Sequence, residues 1–216
     1  MDVHLYIQNG QSVYEPVVVG SITWETARKG QPGKCSFTLL ADGKLNIEEG
    51  NAVRLDVSGK AVFFGFIFER SWNRNGEVKV TSYDQLRYLK NKDSYNYTDK
   101  TAGEVIQMIA GDFNMQTGVL ENTGYKIPYR NEPDTSLFDI ILNALDLTMI
   151  ATGRMYVLYD DAGKLTLKNV EDMKLDLMID DKAAQDYDYK VSIDGNTYNQ
   201  IKLYRDNDET QKDRKS

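Results

Sequence analysis

Apolar and polar positions alternate through the first part of the chain. Val3, Leu5 and Ile7 alternate and stop at Asn9-Gly10, a turn pair. Val17 to Trp24 reads as a second strand, with Val17, Val19, Ile22 and Trp24 as its inward set and a bulge near Gly20. Lys34 to Leu40 alternates cleanly through Cys35, Phe37 and Leu39. Val53, Leu55 and Val57 alternate with Arg54 and Asp56, and Ser58-Gly59-Lys60 turns the chain into the densest apolar stretch, Lys60 to Asn91. There Ala61, Phe63, Gly65 and Ile67 point one way, and Val62, Phe64, Phe66 and Phe68 the other. A strand apolar on both faces needs cover on both, from another segment of the chain or from a partner. Asn75-Gly76 supplies the positive-φ pair of a tight hairpin, and Val78 and Val80 form the return strand. The spacing then changes: Tyr83, Leu86 and Leu89 lie three apart, with Asp84 placed to cap. Six or so short strands in about 85 residues predict a small sandwich or barrel.

From about Ser94 the pattern becomes helical. Thr101 and Glu104 have the spacing of a capping box, followed by Ala102, Val105, Ile109 and Phe113 on one face. Asn114 to Asp134, rich in Gly, Asn and Pro, reads as a loop. Leu137, Ile140, Ile141, Ala144, Leu145, Thr148 and Met149 predict a second helix, with Gly153 as its C-terminal cap. Met155–Tyr159 and Lys164–Lys168 predict a hairpin. The fold class expected is therefore α+β, mainly β. A barrel over residues 1–93 is followed by an α/β unit over 94–190 with two helices, and by the start of a second β domain over 191–216.

Residues 171–194 hold eight acidic residues and three lysines and read as a solvated loop. Asp180, Asp181, Asp186 and Asp188 do not match the spacing of a calcium-binding loop. A strand over Tyr198–Tyr204 precedes a wholly polar tail, residues 205–216. A β-rich chain that stops just after opening a strand suggests a fragment of a longer protein.

The composition narrows the chemistry. The net charge of −7 argues against a general binder of nucleic acid or of anionic membranes. One cysteine, Cys35, allows no internal disulfide and reads as a small buried hydrophobe. A single histidine, His4, removes histidine-based triads and metal clusters. No phosphate-binding glycine loop and no GxSxG elbow occurs. No apolar run approaches the ~20 residues of a membrane span. The N-terminal residues lack the charged and apolar regions of a secretory signal, so synthesis and folding in a cytoplasm are expected. Trp72 with Arg74, and Arg87 with Tyr88, would suit stacking on a base or a sugar. The plainer reading is a hairpin tip and a capping corner, with Arg87 held by a carboxylate or carbonyl. No catalytic residue, cofactor site or metal site is assigned.

Gly65-Phe66-Ile67-Phe68-Glu69, followed by Val80-Thr81-Ser82-Tyr83-Asp84-Gln85-Leu86-Arg87-Tyr88-Leu89, resembles the phage tail baseplate hub family of XkdQ/YqbQ type, known from PBSX-like prophages. Gly33–Phe37, Glu49–Leu55 and Ser192–Ile201 resemble the same family. The resemblance implies a non-enzymatic structural role in the virion or tail-like particle. Such hubs are similar to those of contractile tails and type VI secretion spikes, and form a trimeric ring joining tail tube to central spike. The partners implied are two further copies of the chain, the tube protein, spike and other baseplate proteins, with DNA only as passing cargo. Phe64, Phe66, Phe68, Trp72, Tyr83, Arg87 and Tyr88 are the candidate interface or core residues. The competing expectation is a tail-associated cell-wall hydrolase or carbohydrate-binding module. It requires a cleft lined by Trp72, Tyr83 or Tyr88 with paired carboxylates.

Overall fold

The computed structural model describes residues 2–41, 43 and 45–176, and residues up to Lys174 form one compact unit. Among the described residues 46% are strand and 21% helix, a mainly β fold as expected. The elements are β1 (Val3–Asn9), β2 (Ser12–Tyr14), β3 (Thr23–Glu25), β4 (Lys34–Leu40), β5 (Ala52–Val57), β6 (Lys60–Trp72) and β7 (Glu77–Tyr83). A 3-10 turn (Gln85–Lys90) leads into β8 (Lys92–Lys100), α1 (Ala102–Asp112), β9 (Thr117–Leu120), β10 (Ile127–Ser136), α2 (Leu137–Thr152), β11 (Tyr156–Asp160) and β12 (Leu165–Asn169).

Seven strands form one antiparallel sheet in the order β2-β1-β5-β6-β7-β4-β3. The ladder is open between β2 and β3, so the expected barrel is not closed by hydrogen bonds among the described residues. One stretch of chain, Ser12 to Glu25, supplies both edge strands, and between them Val18 makes an isolated bridge to Leu39. The expected strand over Val17–Trp24 is broken there, at Gly20, whose φ is +79°. Ile22 packs on the core as expected, but Val18 does so in place of Val17 and Val19, and Val17 and Trp24 are exposed. The inward residues of β1, β4, β5, β6 and β7 form one core, with Ile7, Leu39, Val53 and Val80 fully buried. Cys35 lies in it as a small hydrophobe, and burial pushes its thiol up to about 12.

β6 carries two bulges that periodicity does not show. Leu55 pairs with Phe63 but Asp56 with Ala61, so Val62 is an extra residue. The alternation expected for Ala61 and Val62 therefore fails: Val62 packs on the core, and Ala61 lies opposite Asp56. A second bulge, at Phe68, falls between Ile67 paired with Ser82 and Glu69 paired with Thr81. Between the bulges the reading holds, with Phe63, Gly65 and Ile67 buried and Phe64 and Phe66 on the other face. Gly65 is obligatory, because a Cβ there would drive into the Tyr83 carbonyl.

The two hairpin turns exchange roles. Ser58 and Gly59 both have positive φ, 50° and 76°, which makes Ser58-Gly59 the two-residue turn. At the other turn only Gly76 is left-handed. There the Asn73 side chain accepts from the N–H groups of Asn75 and Glu77, giving a longer loop closed by an Asx turn.

The second core gathers Leu86 and Leu89 of the 3-10 turn with Tyr95, Tyr97, α1, α2, Ile127, Tyr156, Leu165 and Leu167. The three-residue spacing after Ser82 is thus a 3-10 turn, capped by Asp84 Oδ1 accepting from Leu86 N–H at 3.0 Å. The capping box Thr101/Glu104 and the left-handed C-cap Gly153 are present as expected. Phe113 caps α1 and packs, half-buried, against the same core, and Met149 is 36% exposed at the edge of α2. The supposed loop from Asn114 to Asp134 contains β9 and most of β10. β9 pairs in parallel with β12, and β10 with β8. Among the described residues no helix is long and apolar enough to cross a membrane. The acidic loop beyond Asp176, the strand at Tyr198–Tyr204 and the polar tail lie outside the described residues.

Candidate functional site

The outer side of β6 and β7 collects the aromatic residues. Phe64 and Phe66 meet edge to face, with ring centroids 5.8 Å apart. Phe66 pairs across the ladder with Tyr83. Phe68, pushed outward by its bulge, packs edge to face on Tyr83 at 5.5 Å and lies 6.3 Å from Tyr88. Arg87 lies over the Phe68 ring at 5.5 Å. It is therefore held by a π face, not by the carboxylate or carbonyl expected for it. Six of the seven candidate residues thus form one half-buried aromatic strip. Trp72 does not join it. It stands 62% exposed at the far end of β6, with Arg70 stacked over its ring at 5.0 Å. Arg70 crosses to Glu49, at 2.7 Å, and to the Ile47 carbonyl. It does not pair with its neighbour Glu69.

The cover of this strip was half foreseen. Phe64 packs beneath the β11–β12 turn, where a Cβ added to Gly163 would come within 2.7 Å of its ring. Part of the apolar outer face is thus closed by the chain itself, while Phe66, Phe68 and Tyr88 keep partial exposure.

Beside the strip lies a polar joint, buried at Asp84 and half-buried at Asp160. Asp84 Oδ2 accepts from Gly33 N–H at 2.8 Å. The Gln85 amide donates to Asp160 Oδ2 at 2.9 Å and to the Gln116 carbonyl at 3.1 Å, and its oxygen accepts from Gln116 N–H at 3.1 Å. Asp160 Oδ1 accepts from Gly163 N–H at 2.6 Å. Burial, reinforced by the charge of Asp160, pushes the Asp84 carboxyl up to about 7. Burial also raises Asp160, with Asp161 adding to it. The sequence marked Asp84 only as a cap. Gln85 and Asp160 were missed, because their partners lie 31 and 75 residues away along the chain.

Next to this joint is a cleft of ≈ 430 Å³ whose walls include Trp24, Arg28, Val62, Asp84, Tyr159 and Asp160. The hydrolase expectation placed its cleft elsewhere. Among the described residues, the cleft that Tyr83 lines holds a single carboxylate, Glu25, which faces Lys34 at 3.6 Å. Its other charged walls are Arg87 and Lys90. Among the described residues no group of three or more His, Cys, Asp or Glu is placed to hold a metal ion. The His4 side chain lies between Glu15 at 2.6 Å and Asp2 at 3.0 Å, and these hydrogen bonds raise its pKa.

An open, curled sheet joined at a capped corner to a small α/β layer is an architecture found in prophage tail proteins. The prophage MuSo2 43 kDa tail protein from Shewanella oneidensis superposes with a TM-score of 0.60 at 13% identity, over 76% of this chain and 52% of that one. The chain belongs to the YQBQ-like family, whose family model matches residues 22–216. It is 37% identical over 166 residues to the uncharacterized protein YqbQ of Bacillus subtilis (strain 168), covering 76% of this chain and 50% of that protein. It is 35% identical over 160 residues to the phage-like element PBSX protein XkdQ of the same organism, covering 70% and 48%. The chain thus spans about half the length of the curated relatives it matches.

Proposed function

We propose that this chain is a structural, non-enzymatic part of a phage or phage-like contractile tail, belonging to the baseplate hub that joins tail tube to central spike. Membership of the family that includes the PBSX protein XkdQ carries the reading. In it, residues 1–93 are the tube-like domain, 94–190 the inserted unit, and 191 onward opens a second β domain. The full-length protein is a homotrimer in the tail, contacting tube and spike proteins, with DNA only passing through. The aromatic strip of Phe66, Phe68, Tyr83, Arg87 and Tyr88 is its docking face, since its rings keep partial exposure after the chain has covered Phe64. Trp72, far from the strip, serves a separate contact at the end of the sheet.

Sedimentation of a chain extended to the length of its relatives tests this. Trimers are expected, and a strictly monomeric protein at high concentration overturns the reading. Phe66→Asp is expected to leave the subunit folded and abolish trimers. Phe64→Asp is expected to destabilise the subunit itself, by about 2 kcal/mol or more, because it puts a charge beneath the β11–β12 turn.

A further inference from the structure

We propose that Asp84, Gln85 and Asp160 form a proton-controlled fastening between the seven-stranded sheet and the α/β layer, closed when the carboxylate pair holds a proton and loosened when both are ionised. The geometry carries it. Asp84 ends the sheet side, bound to Gly33 beside β4, while Asp160 ends β11. Gln85 links Asp160 to Gln116, just before β9. Asp84 is buried and Asp160 half-buried, and each of the four carboxylate oxygens accepts one hydrogen bond, from Leu86, Gly33, Gly163 or Gln85. Among the described residues neither acid has an ion-pair partner. The adjoining cleft admits one cation, Arg28, and its guanidinium donates to the Met155 sulfur at 3.2 Å. The other titratable groups facing the cleft are Tyr159 and Asp161, on β11 and its turn. Its β6 wall is Ala61, Val62 and Phe63, the 3-10 turn at Gln85–Lys90 adds Leu86, and a second 3-10 turn, Val170–Met173, adds Met173. Among the described residues, then, the only cation lining the cleft is Arg28, and it forms no ion pair with either acid. Two like charges out of water are costly, and opening the joint to solvent relieves them.

The direction follows from linkage. The folded joint holds both carboxyls above their ordinary range, so the cost is absent at acid pH. It grows as pH rises past the ordinary carboxylate range and is complete above about 7. Amide exchange of the 216-residue chain, followed by NMR between about pH 5 and about pH 8.5 and corrected for intrinsic rates, reads this opening. Protection at Gly33, Gln116 and Gly163 is expected to fall roughly tenfold or more, while Ile7 in the sheet core and Ile141 in α2 keep theirs. Asp160→Asn, which still accepts from Gly163, removes the second charge and is expected to make this fall smaller, leaving the part that burial of Asp84 alone causes. The proposal is overturned if wild-type protection does not change, or if Asp160→Asn shows the same fall. Should the variant not fold, carboxyl carbon titration of the wild type decides. An Asp84 midpoint in the ordinary carboxylate range overturns the proposal, and one near neutral supports it.

Discussion

The two cores of this chain differ in size, with nineteen buried residues in the helix-covered core and twelve in the sheet core, and they are written differently in its sequence. The sheet core comes from five strands in which a buried residue alternates with a less buried one: Leu5/Ile7, Cys35/Phe37/Leu39, Val53/Leu55, Phe63/Ile67 and Val78/Val80. The second core draws on helices and on strands that carry almost no apolar signal. In β8, KDSYNYTDK, only Tyr95 and Tyr97 are buried, and in β10 only Ile127 and Glu132 are, the latter paired with Arg130 at 2.6 Å. A strand can be recognised from its own residues when both its pattern and its burial are local. β8 to β10 are strands because α1 and α2 cover them, and that information lies elsewhere in the chain.

Four substitutions test whether this contrast in legibility is also a contrast in stability. The largest effect is expected from Gly65→Val, which forces β6 away from the Tyr83 carbonyl. A loss above about 4 kcal/mol is anticipated in urea unfolding, and a loss below about 1 would mean the β6–β7 approach is soft. Ile67→Ala in the sheet and Ile141→Ala in α2 should each cost about 2–5 kcal/mol, since both side chains are fully enclosed. If the cores are one cooperative unit, each variant shifts a single transition by a comparable amount. Two separate transitions would break the unit at the Asp84 corner. The smallest effect is expected from Thr101→Ala, about 0.5–2 kcal/mol by calorimetry, because Glu104 N–H loses its acceptor while the α1 packing face is untouched.

What could be read beforehand follows the same line. The capping box, the Gly153 cap and the buried stripe of α2 depend on residues within a turn or two of each other, and all were visible. The resemblance in Tyr83–Leu89 led correctly to the family. The sites that escaped are those where one residue alters the count or a partner is distant. The bulges at Val62 and Phe68 shift which side chain faces which way, Gly20 interrupts the strand around it, and Gln85 reaches Asp160 across the joint. Arg87 is instructive in a different way: its motif was recognised, but only geometry shows a ring where a carboxylate was expected.

The bulge at Phe68 can also be described in terms of insertion and deletion. Ile67 pairs with Ser82 and Glu69 with Thr81, so the ladder between β6 and β7 is complete without the residue in between. Removing Phe68 would leave those flanking pairs in register, yet take away the ring that joins Tyr83, Arg87 and Tyr88. A single-codon insertion is thus enough to give a finished sheet a side chain to present outward. The converse deletion is a route by which a lineage could change partners without having to reinvent its fold.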